Sequence, residues 1–535
     1  MSDTASALQA TLALRRHDIG ELVARSAARY PHKTALVFGA QRYTYRQLDE
    51  TINRAANALQ ALGLERGQRV ALLSHNNATY VVLVFALARL GAISVPINFM
   101  LKAAEVSYIL EDCGACGLIV ERRLCQVAEG ALQLGGRPLA LQALIDAGET
   151  APAPPWHDAA SWLAYPQTQR PPVTVGDEEP IQIMYTSGTE ARPKGAVFCN
   201  RNFIAQFASC IVDGEMSESD IEIHALPLYH CAQLHVFLAP GLYLGASNIL
   251  LPAADPALML ELIERERATK LFCPPTVWIA LLRHADFARR DLSSLVKGYY
   301  GAAIMPTEIV RELLERLPQL RLFNVYGQTE MSPLASVLKP PDQLRKLGSA
   351  GRPVLNVETR IVDEADRPVP AGTVGEIVHR GPQVMLGYWN DAAKTELACR
   401  NGWFHSGDLG AFDAEGFLRV VDRKKDMIKS GGENVASREV EDVLYQHPAV
   451  AEAAVFAVPD ALWIEAVTAA VVLRPQAQAS PASLIGFCRE RLAGYKTPKR
   501  IVLLEQLPKN ASGKILKREL RAQVAASLTS AGSGT

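Results

Sequence analysis

The segment Tyr185-Thr-Ser-Gly-Thr-Glu-Ala-Arg-Pro-Lys-Gly195 follows an apolar run of strand length, Ile181 to Met184. It brings hydroxyls at Thr186, Ser187 and Thr189, an unencumbered backbone at Gly188 and a positive charge at Lys194. Hydroxyls and free N–H groups donate to phosphate oxygens and an ammonium offsets their charge, so this composition suits a polyphosphate. It is not a Walker A loop, which needs Gly before the Lys and Ser or Thr after it. Pro193 and Gly195 stand in those places. A Ser/Thr/Gly-rich turn without a ligand would use the same residues, so the segment does not decide alone. Two other clusters invite chemistry and do not carry it. His224, His230 and His235 are spaced by six and five residues, which misses the helical HxxxH metal pattern. Cys113-Gly-Ala-Cys116 is a CxxC without a second CxxC nearby, so reduced buried thiols are expected.

Elements that could position such residues follow from apolar spacing. Tyr45 to Leu62 has helical periodicity and ends at Gly63. Arg69 to Leu73 reads as a strand, Thr79 to Leu90 as a helix and Ala92 to Ile97 as a strand. Strand–helix alternation points to an α/β fold with a largely parallel sheet. Ala151 to Gly176 is Pro-rich and reads as a surface connection, after which alternation resumes at Ile181. From Val354 to Val421 short strands with turn punctuation predict a small β-rich unit. The charged run Arg423-Lys-Lys-Asp426 then marks the main boundary, before a compact αβ segment. The small polar tail SLTSAGSGT is expected to be unstructured.

The chain has 535 residues, with Lys+Arg 55 against Asp+Glu 56 and a formal charge of −1. That balance argues against a general nucleic-acid binder. The N-terminal residues lack the pattern of a secretory signal, and Arg89 interrupts the most apolar stretch. The nine cysteines, an odd number in a long chain, read as reduced thiols, which makes the cytoplasm the expected compartment.

Further blocks appear in order: Gly301-Ala302-Ala303, Asn324-Val-Tyr326-Gly327-Gln-Thr329-Glu330, Trp403-Phe-His-Ser-Gly-Asp408, Asp422-Arg423 and Leu507-Pro-Lys-Asn-Ala-Ser-Gly-Lys514-Ile. With the Tyr185–Gly195 segment they resemble the adenylate-forming superfamily of acyl-CoA synthetases, luciferases and peptide-synthetase adenylation domains. The resemblance spans about residue 20 to 520. That family usually reads TSGTTGxPKG; here Glu190 and Ala191 replace the second Thr and the Gly, which should stiffen the loop.

The resemblance implies a large N-terminal domain of α/β subdomains plus a small β-rich unit, residues 1–422, a hinge at 423–425 and a small mobile α+β C-terminal domain, 426–535. It implies ATP, Mg²⁺ and CoA as cofactor and co-substrates, a small-molecule carboxylic acid as partner, and no nucleic acid or transmembrane segment, with a homodimer admitted. Tyr326 would stack on adenine, Gly301, Ala302, Ala303, Asn324 and Gly327 would frame the nucleotide, and Asp408 with Arg423 would hold the ribose. Thr186, Ser187, Gly188, Thr189, Lys194 and Thr329 would meet the phosphates, and Glu330 would hold Mg²⁺. Lys514 would bridge the carboxylate and the α-phosphate. Lys425 would be the hinge residue, and Lys429, Gly431 and Gly432 would wall the pantetheine arm. His230 would stand beside the acyl carboxylate.

No acid lies between Leu226 and Pro240, so an α-amino acid is disfavoured, because its buried ammonium would lack a counter-charge. Gly327 stands where a Trp plugs the pocket of acetyl-CoA synthetases, which leaves the floor open. Val277, Trp278, Tyr299, Tyr300, Pro333 and Leu334 are the expected apolar walls. A medium- to long-chain fatty acid is the expected substrate, with an aryl or arylalkenoic acid, or a carrier-protein-loading acyl-AMP ligase, as alternatives.

Overall fold

The computed structural model describes residues 14, 17–136, 138–146, 148, 152–186, 192–303, 305–430, 433–460, 463–510 and 515–532. Two large mixed sheets carry most of the chain up to Tyr388, nine-stranded and eight-stranded among the described residues. In the first, Thr34–Phe38, Ser247–Leu250, Ile221–His224, Lys270–Phe272, Lys297–Gly301 and Arg321–Gly327 run parallel, and Leu334–Leu338 returns antiparallel beside the last. In the second, Arg69–Leu73, Ile93–Ile97 and Pro180–Thr186 lie at the centre, with Lys194–Cys199 antiparallel beyond Thr186. Parallel strands need covered faces. The helices Tyr45–Ala61 and Ala78–Leu90 belong to the largest core, which draws on residues of both sheets.

The local signals fall where the sequence puts them. Thr44 and Gln47 cap the first helix reciprocally, and Gly63 follows its end at φ 84°. Asn77 accepts from the Tyr80 amide at 2.8 Å and starts the second, which ends at Gly91 with φ 66°. That helix is apolar on every side and is buried along its length, as such helices must be.

The expected β-rich unit is an antiparallel sheet of Glu358–Val362, Gly375–Arg380, Phe404–Phe412 and Leu418–Arg423. Sheet membership changes between Arg423 and Ile428, across a turn. The strands Ile428–Ser430, Glu433–Val435, Val450–Asp460, Ile464–Leu473 and Arg500–Leu503 then form a separate sheet. It is covered by the helices Ser437–Tyr445 and Pro481–Arg489.

Two expectations need correction. The Pro-rich connection holds a strand, Trp156–Asp158, and a short helix, Ala159–Leu163, because Asp158 caps the Ala160 amide at 2.9 Å and Trp162 is buried. The tail is helical to Gly532, in the helix Lys517–Gly532 anchored by buried Leu520 and Val524. Among the described residues no helix is long and apolar enough to cross a membrane.

One buried charge holds the end of the central helix. Arg89 is fully buried and donates to the Gly20 carbonyl at 2.9 Å, the Asp49 carbonyl at 3.1 Å and the Asp49 carboxylate. Arg89→Met keeps the apolar stem and leaves these acceptors unpaired. Urea unfolding should show the first transition weakened by about 3 kcal/mol; an unchanged midpoint would contradict this account of the helix end.

Candidate active site

Strands of both large sheets end at one cavity of about 610 Å³. Parallel strands leave such a crevice beyond their carboxyl ends. Thr186 ends one strand, Phe272 a second and Gly327 a third, and Ala302 follows a fourth with φ 62°. All four line the cavity. Of the expected residues, Lys194, His230, Tyr326, Thr329, Glu330, Pro333, Leu334, Asp408, Arg423 and Lys425 line it as well.

The hairpin from Asn324 to Leu338 reaches three parts of the cavity in turn. A Cβ on Gly327 would stand 1.8 Å from the Pro333 carbonyl oxygen, so only glycine admits the return strand here. Gly301 has a similar reason, since a Cβ there would stand 2.3 Å from the Val325 carbonyl oxygen.

At one end, the Tyr326 hydroxyl donates to Asp408 Oδ2 at 2.7 Å, and Arg423 Nε lies 3.4 Å from Asp408 Oδ1. Burial and the Asp408 charge push the Tyr326 hydroxyl well above its ordinary value, so it stays a donor. Asp408 N binds Ser406 Oγ at 3.0 Å, which fixes the turn carrying the carboxylate. An ionised carboxylate accepts from several donors at once, the property a ribose diol requires.

In the middle, Thr186 pairs with Lys194 across the hairpin of the phosphate-type loop. Lys194 Nζ lies 5.4 Å from the centre of the Tyr388 ring, whose hydroxyl donates to Glu330 Oε1 at 2.9 Å. Thr329 Oγ1 lies 3.3 Å from Cys231 Sγ, and burial pushes that thiol up to about 12. Cys231 is therefore a neutral neighbour of the threonine. The hard oxygens of Glu330 and Thr329 are of the kind that suits magnesium carried on a nucleotide. Lys425 also faces the cavity, and burial, then Arg423, lowers the pKa of its ammonium.

At the other end, His230 Nδ1 accepts from the Ala232 amide at 3.2 Å. A neutral ring then carries its proton on Nε2. The chain continues as a π-helix, Ala232–Leu238, which turns Ala232, Val236 and Phe237 to the cavity. Phe237 stacks on Phe272 at 4.3 Å and 16°, and both rings are buried. Behind them Tyr299 meets Phe237 edge-on at 5.2 Å.

The structure places several expected wall residues elsewhere. Tyr299 does not line the cavity; its hydroxyl binds the Gly214 carbonyl. Tyr300 donates to Gln343 at 2.9 Å, and Trp278 donates to the Tyr299 carbonyl at 3.0 Å. Val277 packs beside a separate core that includes Leu260 and Leu281. Gly301, Ala303 and Asn324 are not on the lining either, and Asn324 instead holds the Ser349 carbonyl at 2.8 Å. Lys429 lies on a strand, its amide bonded to Glu465 at 2.7 Å, away from the cavity. Ser187, Gly188 and Thr189, with Glu190 and Ala191, lie outside the described residues, as do Gly431, Gly432 and Lys514.

The histidines do not converge. His224 Nε2 binds Asn248 at 2.9 Å, and His235 is buried, with its pKa lowered to about 3. Cys113 and Cys116 are free thiols, and burial pushes Cys113 up to about 12. Phe237, Phe272, Tyr388 and Cys231 were missed by sequence reasoning. The apolar stretch after His230 was the available signal for Phe237.

Residues 23–389 match the model of the AMP-binding enzyme family, and 439–514 match that of the AMP-binding enzyme C-terminal domain. A feruloyl-CoA synthase of Amycolatopsis sp is 38% identical over 508 residues, covering 95% of this chain and 99% of that protein. A long-chain-fatty-acid–CoA ligase of Escherichia coli is 35% identical over 536 residues, covering 95% and 94%. The crystal structure of the anthranilate CoA ligase AuaEII with anthranoyl-AMP superposes with a TM-score of 0.88 at 30% identity, covering 96% of this chain and 98% of that one.

Asp408→Asn keeps the shape and removes the charge. The KM for ATP should rise between about 10- and 100-fold, with the KM for the acid little changed. Steady-state pyrophosphate release with each substrate varied checks this, and an unaltered ATP KM would remove Asp408 from the nucleotide site.

Proposed function

The chain belongs to the AMP-binding enzyme family, and from that premise we propose an aryl or arylalkenoic acid as the carboxylate it activates. The enzyme is an AMP-forming acid–CoA ligase. The carboxylate attacks the α-phosphorus of ATP, giving acyl-AMP and pyrophosphate; the CoA thiol then attacks the acyl carbon, and AMP leaves with the bond electrons. The first step brings an anion against a polyanion, so the site must offset charge as the bond forms.

Lys194, Arg423 and Lys425 face the cavity at its nucleotide and phosphate parts. Lys194 is assigned to the phosphates and Arg423 to the ribose beside Asp408. Glu330 and Thr329 would hold the magnesium of the nucleotide substrate, which neutralises phosphate charge when bound. His230, with its proton on Nε2, would donate to the acid's carboxylate and fix its direction. Lys514 is assigned to the bridge between carboxylate and α-phosphate. The 423–425 segment is assigned as the hinge between 1–422 and 426–535.

The observation that carries the choice of acid is the floor. Phe237 and Phe272 line the end assigned to the acyl group as a parallel stack, with Tyr299 edge-on behind Phe237. A flat ring can stack or sit edge-on against such walls, whereas a long chain would need a path beyond them. The feruloyl-CoA synthase and the anthranilate CoA ligase support an aryl acid. The second reading, a medium- to long-chain fatty acid, is favoured by the Escherichia coli relative.

A pyrophosphate-release screen with and without CoA decides between them. Arylalkenoic acids should exceed dodecanoic and hexadecanoic acids in kcat/KM by at least about tenfold; the reverse order would overturn the aryl assignment. CoA should be preferred over a phosphopantetheinyl carrier protein, and the opposite preference would make the chain an acyl-AMP ligase. Lys514→Ala should lose acyl-AMP formation by about 100-fold or more, with transfer from preformed acyl-AMP to CoA far less affected. Equal loss in both halves would contradict the bridging role.

A further inference from the structure

The two walls of the acyl end come from distant parts of the chain. One is the π-helix Ala232–Leu238, bearing Val236 and Phe237; the other is the Pro333–Leu334 entry to the return strand. The π-helix wall has an irregularity in its backbone bonding, and one side chain meets both walls. In the π register the Ala239 amide bonds back five residues, to the Leu234 carbonyl. The next bond would run from residue 240 to the His235 carbonyl, but residue 240 is Pro240 and has no N–H. Gln206, fully buried on the helix Asn200–Asp213, donates from Nε2 to that His235 carbonyl at 2.7 Å. Its Oε1 accepts from the Leu334 amide at 3.0 Å.

We propose that Gln206 is a positioning residue that sets the separation of the two acyl-pocket walls by clamping the π-helix to Leu334. It has no place on the cavity lining, so it acts through Phe237, Val236 and Leu334. The primary amide is the matching group: one N–H faces an acceptor and one oxygen faces a donor in a dry place. A second buried link keeps the π-helix from rotating. His235 Nε2 meets Gln182 Oε1 at 2.5 Å, its ring stacks on Phe203 at 3.8 Å, and Gln182 Nε2 reaches Ser94 at 3.0 Å. With its pKa held at about 3 by burial, the His235 ring stays neutral through the working range. The same helix therefore contributes both Phe203 and Gln206 to holding the wall.

The inference rests on the reading that this end of the cavity takes the acid. If the wild type turns over neither ferulic nor octanoic acid, that reading fails; if it turns over either and the variants below do not respond, only the clamp fails. Gln206→Met keeps volume and removes both bonds. Rates are normalised to active sites by a single-turnover burst of acyl-AMP, so unfolded protein does not count. Gln206→Met should raise the KM for ferulic acid about tenfold or more and lower the ferulic-to-octanoic kcat/KM ratio about fivefold, with the KM for ATP within about twofold.

Gln206→Glu supplies the internal rescue. Its protonated carboxyl has one O–H donor for the His235 carbonyl and one acceptor for the Leu334 amide, whereas the carboxylate faces a carbonyl. Its ferulic acid KM should therefore approach the wild-type value as pH falls from 8.5 to 5.5 and worsen as pH rises, after correction for the wild-type profile. Unchanged acid KM and ratio in Gln206→Met overturn the clamp, as does a parallel rise in the ATP KM. Should Gln206→Met not fold, a pH-independent corrected KM in Gln206→Glu overturns it as well.

Discussion

The return of the chain at Gly327 is the constraint on which the cavity depends. Because residue 327 has no side chain, the Pro333 carbonyl can approach where a Cβ would be. The hairpin can then fold back at the end of a parallel strand and keep its loop inside the crevice. Tyr326 precedes the approach and meets Asp408. Thr329 and Glu330 occupy the loop between, beside Cys231 and Tyr388. Leu334 follows it and lines the cavity. One backbone contact thus spaces, along a single short segment, the parts of the cavity assigned above to nucleoside, phosphate and acyl group. Moving any of them separately would require breaking the ladder between the strands Arg321–Gly327 and Leu334–Leu338.

Charge is arranged by the same economy. The chain as a whole carries −1, and nothing about its total charge attracts an anion. Lys194 comes from the eight-stranded sheet; Arg423 and Lys425 come from the end of the four-stranded sheet and the turn beyond it. Two of these cations lie near a group that restrains them: Tyr388 under Lys194, Asp408 beside Arg423. Restrained cations in a partly dry crevice act over short distances more strongly than mobile surface charges do. Glu376 extends the arrangement outward, receiving Lys424 at 3.3 Å and the Gly407 amide at 3.2 Å, so the turn carrying Asp408 and the segment after Arg423 share one anchor.

What could be read from the sequence divides along a physical line. Blocks whose residue types answer a backbone or ionic demand were legible: Gly327, the carboxylate at Asp408 and the cation at Lys194. Apolar walls were not. Tyr299 and Phe272 have similar character, yet one binds a carbonyl behind the floor and the other forms the floor. Which of them meets the cavity depends on where each strand ends, and a sequence places strand ends only loosely. Tyr299 and Tyr300 are consecutive on one strand and so point to opposite faces; neither faces the crevice at its end. Phe237 was hidden for another reason. Its direction is set by a π-helix, whose spacing differs from the helical period used to sort faces. In the Pro-rich stretch, Asp158 and Trp162 carried a cap and a core contact that composition alone obscured.

Behind the floor, Glu222 and Lys270 form a fully buried ion pair at 2.8 Å. Such a pair is a poor source of stability, because desolvating two charges offsets most of their attraction. Its effect lies in direction. Lys270 Nζ stands 5.3 Å from the centre of the Phe237 ring and 5.4 Å from that of Tyr299. A cation favours the face of a ring over its edge, so both rings gain a preferred orientation that an aliphatic neighbour would not impose. The carboxylate in turn holds the ammonium in place. Phe237 is then fixed from three sides: by the π-helix that bears it, by Phe272 in front and by the charge behind. Where the acid meets this floor, as proposed above, a wall fixed in this way would resist reshaping around an ill-fitting acid, and rigidity of that kind makes a hydrophobic wall selective.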